Sequence, residues 1–321
     1  MTAEVSRSRS YVLSALLFLG LLMVPQVAAR FYIYILGVIF VTALLAMSLN
    51  LLVGHGGIYQ FHHAVFYGVG AYTAGLILSK TQLPAWFAFC AGPLMAAAAG
   101  VVIGLFCVRL NKLYFGMLQI SLGSLVWVIV LRWYSLTAGD DGIHGIPIPA
   151  ALSGTSNTYY FLLFVVAACL VVMYLILKSP FGLTLRAIRD NPQRCEAVGI
   201  NVRRHQLWAI VIASFFAGVA GVLFVVLEGS IFPDMLFWVL SLEILIMCLL
   251  GGWFTFFGPV VGAAMMVSLR TFVGSYTEYW TLVLGIVLIL LIFFLPEGIM
   301  GINFREWTRI RSRRSAARAA D

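Results

Sequence analysis

The sequence predicts an all-α protein, a polytopic membrane helical bundle of about ten spanning helices with both termini cytoplasmic. Three observations carry this. The 321 residues are 62% hydrophobic and only 10% charged, with a mean hydropathy of +1.02, whereas soluble domains are about a quarter charged. The apolar residues fall in runs of spanning length. The Lys and Arg residues between those runs are distributed unevenly. A chain this poor in polar surface cannot cover a soluble globule, which excludes an ordinary cytosolic enzyme. Abundant glycine (30 residues) and aromatics (14%) suit close helix packing and interfacial belts.

A spanning helix needs about 20 mostly apolar residues. Ten runs qualify: 11–29, 31–53, 57–79, 84–108, 114–135, 158–177, 207–227, 235–250, 255–273 and 279–295. The first has basic residues before it (Arg7, Arg9) and small residues at its end (Val27, Ala28, Ala29), which resembles a signal peptide. A second hydrophobic run follows almost at once, so it is read as a retained span. The third is interrupted by glycines, and the eighth and ninth are short. Ten spans put 16 of the 20 basic residues on one side, including Arg109, Lys112, Lys178 and the C-terminal arginines. Arg30, Lys80, Arg132 and Arg270 fall on the other. By the positive-inside rule the first side is cytoplasmic. The net charge of +8 is thus topology rather than a nucleic-acid surface. The five cysteines have no metal-ligand spacing and read as small core residues.

The chain divides into a transmembrane domain, 1–302, and a basic cytoplasmic tail, 303–321, suited to anionic headgroups of membrane lipid. Two polar segments interrupt the domain: an external loop, 136–157, and a cytoplasmic loop, 178–206. The second is unusually long, and such loops carry function or their own structure. Asn191-Pro192 is a helix start, with a capping side chain followed by the residue suited to the first turn. Pro192 to Val198 then makes a short helix, and Gly199 closes it. The alternative is a solvated interfacial helix anchored by arginines to lipid.

The stretch FGLTLRAIRDNPQRCEAVGINV, with the glycine-rich helix after it, resembles the LivM-type permease subunits of bacterial branched-chain amino acid ATP-binding-cassette importers. Gly182, Arg186, Ala187, Ile188, Arg189, Asn191, Glu196, Gly199, Ile200, Asn201 and Val202 stand at matching places, as do Gly218, Ala220 and Gly221. Thr137 to Gly142 (TAGDDG) is similar to the family's TGGSDG. Gly251, Gly252, Gly258, Pro259, Val260 and Gly262 resemble its GGxGSLxGPVxG, and Pro296, Glu297, Gly298 and Gly301 its closing PRGLxG. Near the front, Gly68, Gly70, Ala71, Tyr72 and Thr73 match a FFGIGAYTA-like run. The resemblance spans roughly 40–302. It implies a transport subunit, not an enzyme, coupled to its ATPase through Arg186, Ala187, Arg189, Asn191, Glu196, Gly199 and Ile200. It also implies a second, LivH-like permease, two ATP-binding-cassette ATPases and an extracytoplasmic binding protein. This chain has no GxxxxGK[ST] phosphate loop, so ATP and Mg belong to the partner and no cofactor is expected here. Leucine, isoleucine and valine are the implied substrates; urea, short amides and small aromatic or organic acids are carried by relatives.

Two glycine clusters are pore-lining candidates. The first comprises Gly56, Gly57, Gln60, His62, His63, Tyr67, Gly68 and Gly70; the second comprises Gly251, Gly252, Gly258 and Gly262. Each reads as a GG pair, an aromatic stretch and a further glycine motif, which makes a weak internal repeat. The same glycines serve equally as helix-packing residues. Gln60, His62 and His63 depart from the small or hydroxyl residues that the family has there. Adjacent histidines point about 100° apart on a helix, so they are read as polar lining or hydrogen-bonded packing, with no metal. Glu243 is a carboxylate within the eighth span, either functional or paired with a neighbouring helix. Asp140, Asp141 and Gly142 sit in the external loop, where the carboxylates either meet the binding protein or hold the loop's shape.

Two other classes are weighed. A stand-alone secondary transporter or channel needs ionisable groups near the midplane, where only Glu243 is available, and it leaves the 178–206 loop unexplained. A membrane enzyme needs clustered His, Asp or Glu motifs, and the sequence has none.

Overall fold

The computed structural model describes residues 19–110, 112–276, 278–294 and 298–301. Most of the first apolar run, Pro296, Glu297 and the basic tail 303–321 lie outside the described residues. A helical segment covers 19–27. After it come α1 (Arg30–Asn50), which continues into a π turn at Leu51–His55, α2 (Ala64–Lys80), α3 (Ala85–Cys107) and α4 (Lys112–Arg132). Next are α5 (Thr155–Lys178), α6 (Pro180–Asp190), α7 (Pro192–Ala197) and α8 (Val202–Glu228). The last three are α9 (Trp238–Gly251), α10 (Gly258–Gly274) and α11 (Trp280–Phe294). Extended pairing among the described residues is limited to one bridge, Ile143 with Ile231.

Among the described residues five helices are long and apolar enough to cross a membrane: α1 with its π turn, α3, α4, α5 and α8; α9 and α10 are shorter apolar helices. The chain is thus a multi-pass helical membrane protein. The third predicted span starts late. Residues 57–63 are irregular, and helix begins only at Ala64, because Gly57 takes a left-handed backbone (φ +63°) that ends the preceding helix. The eighth predicted span is likewise shortened: Pro233–Leu236 forms a 3₁₀ turn, and α9 starts at Trp238.

α1 and α8 form the centre of the bundle. Their most apolar windows are 78% and 67% buried inside the protein, against 22–33% for α3, α4 and α5, which present apolar surface outward. Helices apolar all round suit the first position, and lipid the second. Close approach depends on small residues. α3 and α8 run antiparallel, with Gly104 against Leu207, Gly100 against Ser214 and Gly92 against Val222. A methyl group at Gly70 of α2 would strike the backbone of Gly218, and one at Gly221 would strike the Tyr67 carbonyl. α9 and α10 close on each other through Gly251, Gly258 and Gly262 in the same way, Gly262 lying on the Met247 carbonyl.

The bundle has two distinct ends. One carries the π turn, the α3–α4 link, α6, α7, the start of α8 and the α9–α10 turn. Arg109, Lys178, Arg186, Arg189, Arg194, Arg203 and Arg204 fall there. The other end carries Arg30, Lys80, Arg132 and the folded 133–155 segment. There the Lys80 ammonium donates to the Ser135 (3.0 Å) and Leu136 (2.6 Å) carbonyls, and the Tyr34 hydroxyl donates to the Glu228 carboxylate.

Candidate functional site

The α6–α7 unit is built by local chemistry. α6 is strongly amphipathic: Gly182, Leu185 and Ile188 are buried, while Leu183, Ala187 and Asp190 face outward. Pro180 opens it in the first turn, and α6 gives way at Asn191, whose extended backbone lets its side chain accept the Arg194 N–H at 3.0 Å. α7 ends in a Schellman closure. The Ile200 N–H donates to the Cys195 carbonyl (3.0 Å) and the Gly199 N–H to the Glu196 carbonyl (3.0 Å), with Gly199 at φ +88°. Ile200 packs on Ile188, Cys195 and Val202, so the unit has a small core of its own. Asn201 then caps α8 by accepting the Arg204 N–H at 3.0 Å. The outward face is mixed: Val198 is 76% exposed and Leu183 58%, beside exposed Gln193, Arg194 and Glu196.

The predicted coupling residues therefore divide. Ala187, Glu196 and Gly199 are exposed; Asn191 and Ile200 hold the shape from within. Arg186 is half-buried, and its Nε has no hydrogen-bond partner among the described residues. Arg189 turns inward. Its Nη1 donates to the Gly54 carbonyl at 2.7 Å, and its guanidinium lies 5.3 Å from the centre of the Phe254 ring. A small cleft of about 50 Å³ opens here between Gly56, Gly57, Tyr59, Leu110, Arg189 and Gln206.

The pore-lining candidates are brought together only in part. Gly56 and Gly57 border that cleft. Gly68 packs on Leu236 and Gly70 on Gly218, while Gly251, Gly252, Gly258 and Gly262 lie buried in the α9–α10 hairpin and its turn. Tyr67 is buried, stacked edge-on to Phe224. His62 and His63 are fully buried and point apart. The His62 ring sits between the Leu236 (Nε2, 2.8 Å) and Ile120 (Nδ1, 3.2 Å) carbonyls, of which a neutral ring can donate to one. His63 Nε2 lies 2.8 Å from the Ser48 hydroxyl. Gln60 is also buried, and neither atom of its amide has a partner among the described residues. Ser48, Gln119 and Ser241 were not singled out from the sequence. Ser241 accepts the Ala64 N–H at 2.9 Å and Gln119 the Phe61 N–H at 3.0 Å, which anchors the irregular 57–63 segment on both sides. Nothing local to these three residues distinguishes them, because their partners are remote in sequence.

Glu243, on α9, pairs with Arg270 of α10 at 4.0 Å. In the 133–155 segment, Asp141 accepts the Tyr134 hydroxyl and its carbonyl lies 2.8 Å from His144 Nε2, while Asp140 is exposed. Gly142 (φ +69°) lies against the Ile231 carbonyl, where the Ile143–Ile231 bridge forms. Among the described residues no cluster of His, Cys, Asp or Glu has metal-binding geometry.

Comparison with known proteins gives a consistent result. Residues 31–292 match the family model described as branched-chain amino acid transport system / permease component. The chain is 29% identical over 303 residues to the high-affinity branched-chain amino acid transport system permease protein LivM of Escherichia coli, covering 86% of this chain and 71% of that protein. The LivM of Salmonella typhimurium is 27% identical with the same coverage. The LivH permease protein of Salmonella typhimurium is 24% identical over 283 residues, 81% of this chain and 91% of LivH. No solved structure matches.

Proposed function

The chain belongs to the permease-component family of branched-chain amino acid transport systems and is a permease subunit of an ATP-binding-cassette importer; from that premise we propose that it pairs with a LivH-like permease, two ATPases and an external binding protein to import branched-chain amino acids across the bacterial inner membrane. Its relatives include both LivM and LivH proteins, which supports an unlike pair. Ten spans with both termini cytoplasmic fit the segregation of the basic residues to the α6–α7 end.

The observation that carries the reading is the α6–α7 unit, a self-capped amphipathic pair with a small core, an exposed mixed face and a place at the arginine-rich end. It is shaped to receive a protein rather than to lie in lipid, since Arg194, Glu196 and Gln193 surround its exposed Val198. Closure of the ATPases on nucleotide would push on this unit, and α8, the central helix, leaves it directly at Asn201. Substrate choice belongs largely to the binding protein, so the cavity between the permeases needs little selectivity.

The test is co-purification from detergent of the chain with its neighbours, in wild type and in the double variant R186E/E196R. An ATPase and a binding protein retained by wild type and lost by the variant support the reading, and the binding protein's ligand identifies the substrate. A chain that purifies alone and moves solute without ATP overturns it. In that case the Glu243–Arg270 pair becomes the first place to look for ion coupling.

A further inference from the structure

We infer that Arg189 is a positioning residue that pins the α6–α7 unit to both glycine turns at once, rather than a contact for the ATPase. The inference rests on the reading above that α6–α7 receives the ATPase. It begins at the end of α1. The Ile58 and Gly56 N–H groups both return to the Leu52 carbonyl and the Gly57 N–H to that of Val53, so the last carbonyls of the π turn are left over. The Gly54 carbonyl is met by Arg189 Nη1 at 2.7 Å. A cation there also faces the negative end of the α1 dipole. The opposite edge of the guanidinium is held by its neighbour: Nε lies 3.2 Å and Nη2 3.1 Å from Asp190 Oδ1. The Arg189 Cγ fills the space where a Gly57 side chain would stand.

The face of the same guanidinium lies 5.3 Å from the centre of the Phe254 ring, in the turn between α9 and α10. The two turns already touch. Gly54 abuts the Trp253 carbonyl, the Asn50 amide donates to the Thr255 carbonyl at 3.4 Å, and Cys248 Sγ donates to the Ala46 carbonyl at 3.2 Å. One side chain from α6 therefore reaches the ends of two hairpins, α1–α2 and α9–α10, through a hydrogen bond to one and a stacked contact with the other. A push on α6 is delivered to both. Lysine cannot substitute, because a single ammonium offers neither the fork nor the flat face.

The experiment compares wild type, R189A, R189K and R186E/E196R in the assembled complex, reconstituted in liposomes with the binding protein and its ligand. It reads ATPase yield on purification and uptake per ATP hydrolysed. The expected result is an ATPase yield for R189A and R189K equal to that of wild type, with uptake per ATP lower by about tenfold. Should R189A not assemble, R189K and F254L carry the same test, Phe254 being 60% exposed and tolerant of exchange. Their uptake losses should fall short of additive when combined, since they share one contact. Wild-type uptake per ATP in the Arg189 variants would overturn the pin. So would loss of the ATPase to the extent seen in R186E/E196R, which would make Arg189 a docking residue. A wild-type chain that binds no ATPase would instead overturn the importer reading, and the pin with it.

Discussion

Ala138 is the one non-glycine among the described residues with a left-handed backbone, at φ +61°. It stands in TAGDDG, where the resembling family motif carries glycine. Thr137, whose hydroxyl donates to the Val130 and Trp133 carbonyls at 2.6 and 2.8 Å, fixes the turn that imposes this conformation. The left-handed region costs an L-residue roughly 1–2 kcal/mol, of which the extra freedom of an unfolded glycine returns part. A138G is expected to stabilise the protein by about 0.5–1 kcal/mol in a thermal unfolding assay; a lower melting temperature would show the strain to be absent. Gln60 argues the other way. A buried amide without partners costs about 1–3 kcal/mol and persists where it serves function. Q60L should therefore keep or raise thermal stability and lower uptake, and uptake at the wild-type rate would remove Gln60 from the path. Both positions illustrate what a sequence can show. The caps at Asn191 and Gly199 are legible because donor and acceptor lie within a few residues of each other. The inward turn of Arg189 is not, because Gly54 lies 135 positions away.

At the scale of elements the two glycine segments follow one plan up to a point. In both, a helix ends at a GG pair whose second member is left-handed (Gly57 at φ +63°, Gly252 at φ +104°). In both, an irregular stretch leads into a helix of 17 residues, α2 or α10. The plans diverge in the use of the later glycines. Gly258 and Gly262 seal α10 against its own partner α9, while Gly68 and Gly70 receive Leu236 and α8. The GG pairs were legible as helix breaks, but which helix each glycine admits depends on the packing of remote segments. That is also why 57–63 reads as helix by hydropathy, yet is held open by Gln119, Ser241 and the His62 contacts. The α2–α8 crossing makes the packing role testable. G221L places a side chain where the Tyr67 carbonyl and the Ala71 N–H of α2 already stand. Overpacking typically costs 1–3 kcal/mol, and backbone here cannot rotate away as a side chain would, so the expected cost is about 3 kcal/mol or more. The variant should elute as aggregate on size exclusion in mild detergent, whereas a monodisperse peak at wild-type yield would mean that α2 and α8 need not touch.

For the whole molecule, burial and charge point the same way. α1 and α8 are enclosed, while α3, α4 and α5 keep exposed apolar faces (Leu113 and Met117 on α4, Leu94 on α3, Leu175 on α5). Such faces need lipid or a second permease against them. The five long spans among the described residues were legible because length and hydropathy are local; the division into central and outer helices was not, since every run looks apolar by itself. Orientation follows from the two ends. The α6–α7 end holds the greater share of basic residues, so it should lie in the cytoplasm, and the 133–155 segment outside. Single cysteines in a cysteine-free background decide this, one replacing the exposed Ala150 and one the exposed Val198. A membrane-impermeant maleimide added to spheroplasts should label the A150C chain at once and the V198C chain only after permeabilisation. The converse pattern would invert the chain. An inverted chain would turn α6–α7 away from any ATP-driven partner, so this labelling tests the importer assignment without requiring the complex to be purified. Equal labelling of both would mean that the segments share a side, which requires an odd number of crossings fewer or more between Ala150 and Val198 than the single helix α5 provides.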